Sequence, residues 1–185
     1  MEASKYLTAN DFKGLGLLAK HCDLEKLEIA INEAFKFDII PLFCFDFVND
    51  VLDNWSNGDY KDLINESKYQ LSGRFSYSFG FKTVWVYYAY SRYVLINNYN
   101  DTANGLVQKN NEWSIPTPLK EITDISNNYR VMGKEAFESV YSFLCVNRSR
   151  FPKFNAKDCS GGCNDDCNGG ETKKIRGAKY KIISR

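Results

Sequence analysis

Three cysteines near the end of the chain have the type and spacing that most suggest chemistry. Cys159, Cys163 and Cys167 recur every four residues in a stretch otherwise dominated by Gly, Asn and Asp. Thiolates bind zinc tetrahedrally, and a closed structural site needs four ligands. Three are present here. The fourth would be Cys145, Asp158, Asp165, Asp166 or a ligand from another chain. The gaps are also longer than the two-residue gaps of common zinc knuckles and ribbons. Reduced thiols in a plain spacer are the competing expectation, so no cofactor is assigned and the three cysteines stand only as a metal candidate.

Other constellations offer less. Gly14-Leu-Gly16-Leu-Leu-Ala19 has the look of a dinucleotide fingerprint, but a helix start precedes it where a hydrophobic strand is needed. His21, the only histidine, is followed directly by Cys22, and adjacent residues do not share a helix face. Asp46, Asp50 and Asp53 follow helical spacing and read as a solvated acidic face. Nucleophile-elbow, P-loop and zinc-protease motifs are missing from the sequence. With no acid–base pair in view, the chain is not expected to be an enzyme, and no catalytic residue is assigned.

Charge divides the 185 residues unevenly. The net +1 is the sum of a body, residues 1–148, with 15 basic and 19 acidic side chains, and a tail, residues 149–185, with 9 basic and 4 acidic. A near-neutral total argues against a generally basic nucleic-acid binder. The tail suits an acidic protein surface, including one on another copy of the chain. No apolar run approaches the roughly 18 residues of a membrane helix. The start of the chain lacks the pattern of a secretory signal, so intracellular synthesis is expected, with Cys22, Cys44 and Cys145 as buried thiols and no disulfides.

The elements that must carry these residues are mostly helical. Thr8 and Asp23 read as N-caps. Leu24, Leu27, Ile31, Ala34 and Phe35 form an apolar stripe that Pro41 should end or kink. Phe43, Phe47, Val51 and Trp55 continue it. Residues 60–68 predict a short helix, and residues 73–80 are ambiguous between strand and loop. Residues 81–96, aromatic and apolar on most sides, predict the central buried helix. Residues 97–116 predict a small projecting loop or β-hairpin turning at Asn110-Asn111. A long helix of about 45 Å should run from Thr117-Pro118 to Arg148, closed by Pro152. Residues 157–172 have a flexible linker composition. Lys179 to Ser184 is β-prone: addition to a sheet edge on a neighbouring subunit is one expectation, and a frayed, unpaired terminus the other. The expected fold is therefore mainly α: a helical body over 1–152, and over 153–185 a Cys/Gly-rich linker and flexible basic arm ending in a strand.

Several segments, taken in order, resemble one family. They are Tyr6-Leu-Thr-x-x-Asp-Phe, Phe37-Asp-Ile-Ile-Pro-Leu-Phe43, Gly80-Phe-Lys-x-x-x-Val-Tyr-Tyr-Ala-Tyr-Ser-Arg-Tyr93, Asn100-Asp-Thr-Ala-Asn-Gly-Leu-Val-Gln-Lys109 and a last helix ending in Phe143-Leu-Cys. The order and spacing of these segments are similar to the head-to-tail adaptor, or connector, proteins of tailed bacteriophages of Bacteroidota, the crAss-like type included. The resemblance spans about residues 5–152. It implies a structural virion protein, made in the bacterial host cytoplasm, with no reaction and no cofactor. The subunits would form a homo-oligomeric ring, typically dodecameric, between the portal protein and neighbouring tail or connector rings. DNA would pass through its lumen without specific binding. Interface residues expected on this reading are Asn104, Gly105, Leu106, Val107 and Trp113 in the projection, and Lys179, Tyr180, Lys181, Ile182 and Ile183 in the arm. The alternative from another class is a small metal-dependent module that binds nucleic acid through the basic tail.

Overall fold

Capping at the start of the chain follows simple hydrogen-bond rules. The computed structural model describes residues 3–14, 22–102, 105–108 and 117–154. A short 3-10 turn, Ala3–Lys5, leads to helix α1, Ala9–Gly14. The Thr8 backbone N–H and hydroxyl both donate to Asp11 Oδ2, at 2.8 and 3.0 Å. Helix α2, Leu24–Ala34, begins at Asp23, whose carboxylate accepts from the Lys26 N–H. Its buried stripe is Leu27, Ala30, Ile31 and Ala34.

After α2 the chain widens into one π-helical stretch, Phe35–Ile39, in which the Ile40 N–H reaches back to the Phe35 carbonyl. The short helix α3, Ile40–Phe43, follows with Pro41 near its start, where a missing N–H costs little. Pro41, expected to end or kink the helix, follows the π turn by two residues and precedes the break at Cys44 by three. Cys44, at φ 66°, separates α3 from α4, Phe45–Asp53. Cys44 is disulfide-bonded, contrary to the expectation of thiols alone. Cys22 and Cys145 are half-buried, not buried.

A 3-10 turn, Gly58–Tyr60, and helix α5, Lys61–Ile64, come next. The helix expected to reach residue 68 therefore stops at Ile64. Strands β1, Ser67–Leu71, and β2, Arg74–Ser78, form an antiparallel hairpin closed by the pair Leu71 and Arg74. Its two loop residues, Ser72 and Gly73, both have positive φ, 49° and 77°, the geometry that matches strand twist in tight hairpins. Gly80 then turns the chain into helix α6, Phe81–Asn97. Its φ is +81°, and a Cβ there would lie 2.5 Å from the Asn65 carbonyl carbon. Only glycine fits this approach without displacement.

Helix α6 is the centre of the bundle, as its apolar sequence predicts. Phe81, Val84, Trp85, Val86 and Ala89 are all buried. Trp85 packs against Phe35 at 5.2 Å between ring centroids and donates from Nε1 to the Ile31 carbonyl at 3.2 Å. Burial satisfies its one polar atom, as a core indole requires. A second antiparallel hairpin follows, β3, Tyr99–Thr102, with β4, Gly105–Gln108. The expected projection contains a hairpin, closed by the pair Thr102 and Gly105; Asn110-Asn111, where the turn was expected, lies outside the described residues. Helix α7, Leu119–Val146, runs 28 residues, about 42 Å. It packs along α6, where Gly133 leaves room for the Tyr88 ring. The described body ends at Phe154, which is buried against Phe47 and Tyr141. The C-terminal arm lies outside the described residues.

Candidate functional site

Two buried carboxylates, Asp38 and Asp50, each centre a polar lock in the body. In the first, Asp38 is buried in the π turn, where Arg92 Nε donates to its Oδ2 at 2.6 Å and Arg130 Nη2 to its Oδ1 at 2.8 Å. Arg92 also meets Glu33 at 3.4 Å. Burial works against the Arg92 charge, but the hydrogen bond and charge of Asp38, with Glu33, outweigh it and raise its pKa. One carboxylate thereby ties the π turn to α6 and α7.

In the second lock, Asp50 accepts from Tyr60 Oη at 2.5 Å and from Lys153 Nζ at 2.8 Å. Burial opposes ionisation of Asp50, yet the bonds from Lys153 and Tyr60 and the Lys153 charge hold its pKa below the ordinary value. Burial first, then the Asp50 bond and charge, push the Tyr60 phenol up to about 12. Asp46 and Asp53 are exposed as expected, but Asp50 is not part of that solvated face. Its partners lie 10 and 103 positions away in sequence, so helical spacing alone could not reveal the lock.

A groove of about 440 Å³ opens between α1 and the start of α6, lined by Asn10, Asp11, Asn65, Glu66, Lys82 and Thr83. Lys82 and Asp11 pair across it at 3.2 Å. Both charges are used on each other. Among the described residues, no three His, Cys, Asp or Glu side chains converge as a metal site, and no helix is long and apolar enough to cross a membrane. Cys159, Cys163 and Cys167 lie outside those residues.

Gly105, Leu106 and Val107, three of the expected interface residues, fall in β4, with Val107 44% exposed. The base of this hairpin is held to α2 by the Lys26 ammonium, which donates to the Tyr99 carbonyl. Asn104, Trp113, Lys179, Tyr180, Lys181, Ile182 and Ile183 lie outside the described residues.

Two further surfaces were missed by sequence reasoning. One is the β1–β2 hairpin, where Phe75 is 80% exposed and Leu71, Tyr77 and Phe79 are also exposed. Its buried side faces the end of α7, where Tyr69 meets Phe143 edge-on at 5.5 Å. The Ser139 hydroxyl donates to the Tyr77 carbonyl at 2.7 Å and accepts from the Phe79 N–H at 3.3 Å. No third strand pairs with this hairpin among the described residues. The other is on α7, where Ile125 and Met132, two turns apart on one side of the helix, are exposed. The available signal for the first was Ser72-Gly73 between two alternating runs. Large exposed apolar patches mark interaction sites more often than chance surface.

No curated protein and no solved structure matches this chain. One protein-family model does: the family of unknown function DUF6712 matches residues 39–164, more than half of the sequence, and the chain belongs to that family.

Proposed function

We propose that the chain is a structural virion protein, a ring-forming subunit of a phage head-to-tail connector between portal and tail. The observation that carries this reading is a body with a well-packed aromatic core that nevertheless leaves Leu71, Phe75, Tyr77 and Phe79 on one element and Ile125 and Met132 on another in solvent. A subunit built to be covered by neighbours has this property. The ordered resemblance over residues 5–152 supports the same reading. So do the basic tail and acidic body, because copies with opposite charge at two places attract head to tail. DNA would cross the lumen without being gripped, since neutralising many phosphates would slow its transit.

The test is mass measurement and electron microscopy of the purified chain, alone and with a portal. Incorporation into a ring stacked on the portal is expected. A chain that stays monomeric and never joins a portal–tail complex refutes the proposal. Deleting residues 171–185 should weaken ring assembly or docking. Binding of free DNA that falls steeply with salt would instead favour a nucleic-acid module.

A further inference from the structure

We infer that the disulfide of Cys44 joins it to the tail cluster of Cys159, Cys163 and Cys167, so that one covalent bond fastens the start of the C-terminal arm to the break between α3 and α4. The partner follows by elimination. The sequence has six cysteines. Cys44 is disulfide-bonded, whereas Cys22 and Cys145 are thiols. The three cysteines of the cluster are what remains. This inference goes beyond the connector reading and stands whether or not copies assemble into rings.

The end of the body delivers the arm to this place. Lys153 Nζ donates to Asp50 at 2.8 Å, and the next residue, Phe154, packs edge-on against Phe47 at 5.2 Å. Asp50 and Phe47 are three residues apart on α4, and three residues before Phe47 is Cys44. Successive residues of the chain end thus step along α4 toward Cys44, which is half-buried at the head of that helix. From Phe47 to Cys44 is about 4.5 Å along the helix axis. Cys159, Cys163 and Cys167 follow Phe154 by five, nine and thirteen residues. Extended chain of those lengths reaches about 17, 30 and 43 Å. Each cysteine of the cluster can therefore meet Cys44, and Cys159 closes the shortest loop.

The bond makes the fastening sensitive to redox conditions. Under reducing conditions both sulfurs are thiols. A small-molecule disulfide is the oxidant, acting by thiol–disulfide exchange. One cysteine thiolate attacks it, forms a mixed disulfide and releases one small thiol. The second cysteine thiolate then attacks the cysteine sulfur of that mixed disulfide, closes the protein bond and releases the second small thiol. Two cysteine thiols are oxidised, one small disulfide is reduced, and the two cysteine protons leave with the small thiols. Closure also changes what the cluster can hold. A sulfur in a disulfide is not a thiolate, so two thiols remain where a structural zinc needs four ligands and a catalytic one three. Oxidation and metal binding therefore compete for the same sulfur.

The experiment uses the full chain, reduced with dithiothreitol, freed of it and incubated with oxidised glutathione. Thiols titrated in denaturant should fall from six to four per chain, and dithiothreitol should restore them. Digestion under non-reducing conditions, after blocking the remaining thiols, should yield Cys44 linked to a cysteine of the cluster. A mixture of light and heavy-isotope chains should give that pair with one label, which places the bond within a single copy. The comparison is a chain with Cys159→Ser, Cys163→Ser and Cys167→Ser together, which alters no residue of the packed body. Its Cys44 should stay a thiol under the same treatment. Cys44 linked to Cys22, to Cys145 or to a second copy would overturn the inference. So would a Cys44 that stays reduced while the cluster oxidises within itself, or one that forms a protein disulfide equally well in the triple variant.

Discussion

Helix α6 and the β1–β2 hairpin are neighbours in sequence and opposite in how they use aromatic residues. In α6, Phe81 and Trp85 are fully enclosed and meet the rings of Phe43, Phe35 and Trp55. In the hairpin, Phe75 is mostly in solvent. Aromatic content therefore says little about a residue's employment. An enclosed ring stabilises its own chain, whereas an exposed one is available to something else.

The largest effect should come from α6. Trp85→Ala removes a buried ring and leaves a cavity, and should lower unfolding stability by about 3–5 kcal/mol, read from urea denaturation. Next is the lock that joins α6 to its surroundings. Asp38→Ala leaves Arg92 and Arg130 facing each other without their carboxylate and should cost about 3 kcal/mol in the same measurement. A loss indistinguishable from zero would show that the arginines escape to water. Gly80→Ala tests the joint between the two regions. Positive φ and the close Asn65 backbone should together cost about 2 kcal/mol.

A smaller effect is set by pH. Asp50 has a depressed folded pKa, so its contribution is present above its unfolded value of 3.8 and is lost as pH falls through the lower folded value. Tyr60 and Lys153 are raised, so their contributions are present below their unfolded values of 10.0 and 10.5 and fade as pH rises beyond them, for Tyr60 through about 12. Asp50→Asn should bring the Tyr60 phenol part of the way down, with burial retaining the remainder. Phenolate absorbance against pH checks this, and an unmoved titration would contradict the lock. The smallest effect on stability should come from the hairpin itself. Phe75→Ser should change unfolding by no more than about 0.5 kcal/mol. If it costs as much as a core change, the contrast with α6 fails.

Much of the helical plan was legible because it depends on short-range rules. Thr8 and Asp23 announce themselves as caps by type and position, and the apolar run of α6 is too long for a strand. The β1–β2 hairpin was hidden because its first strand, Ser67–Leu71, abuts a helix of four residues and carries one buried side chain, Tyr69. Asp50 was misread because its partners are brought by the fold: a buried carboxylate and a solvated one look alike in a sequence. The exposed pair on α7 was also obscured. Ile125 and Met132 sit on a helix whose buried side, with Ile122, Ala136 and Val140, shows an equally regular apolar stripe. Two stripes on one helix cannot both be assigned to a core until its neighbours are known.

The π turn at Phe35–Ile39 has a consequence for chain length. Its five-residue loops hold one residue more than a continuous α-helix would, which resets the phase of everything after it by about 100°. Deleting that residue would leave the helix unbroken but rotate Asp38 away from Arg92 and Arg130. In related chains, then, a one-residue gap in this turn should travel with replacement of both arginines, and chains that keep the extra residue should keep all three charges together.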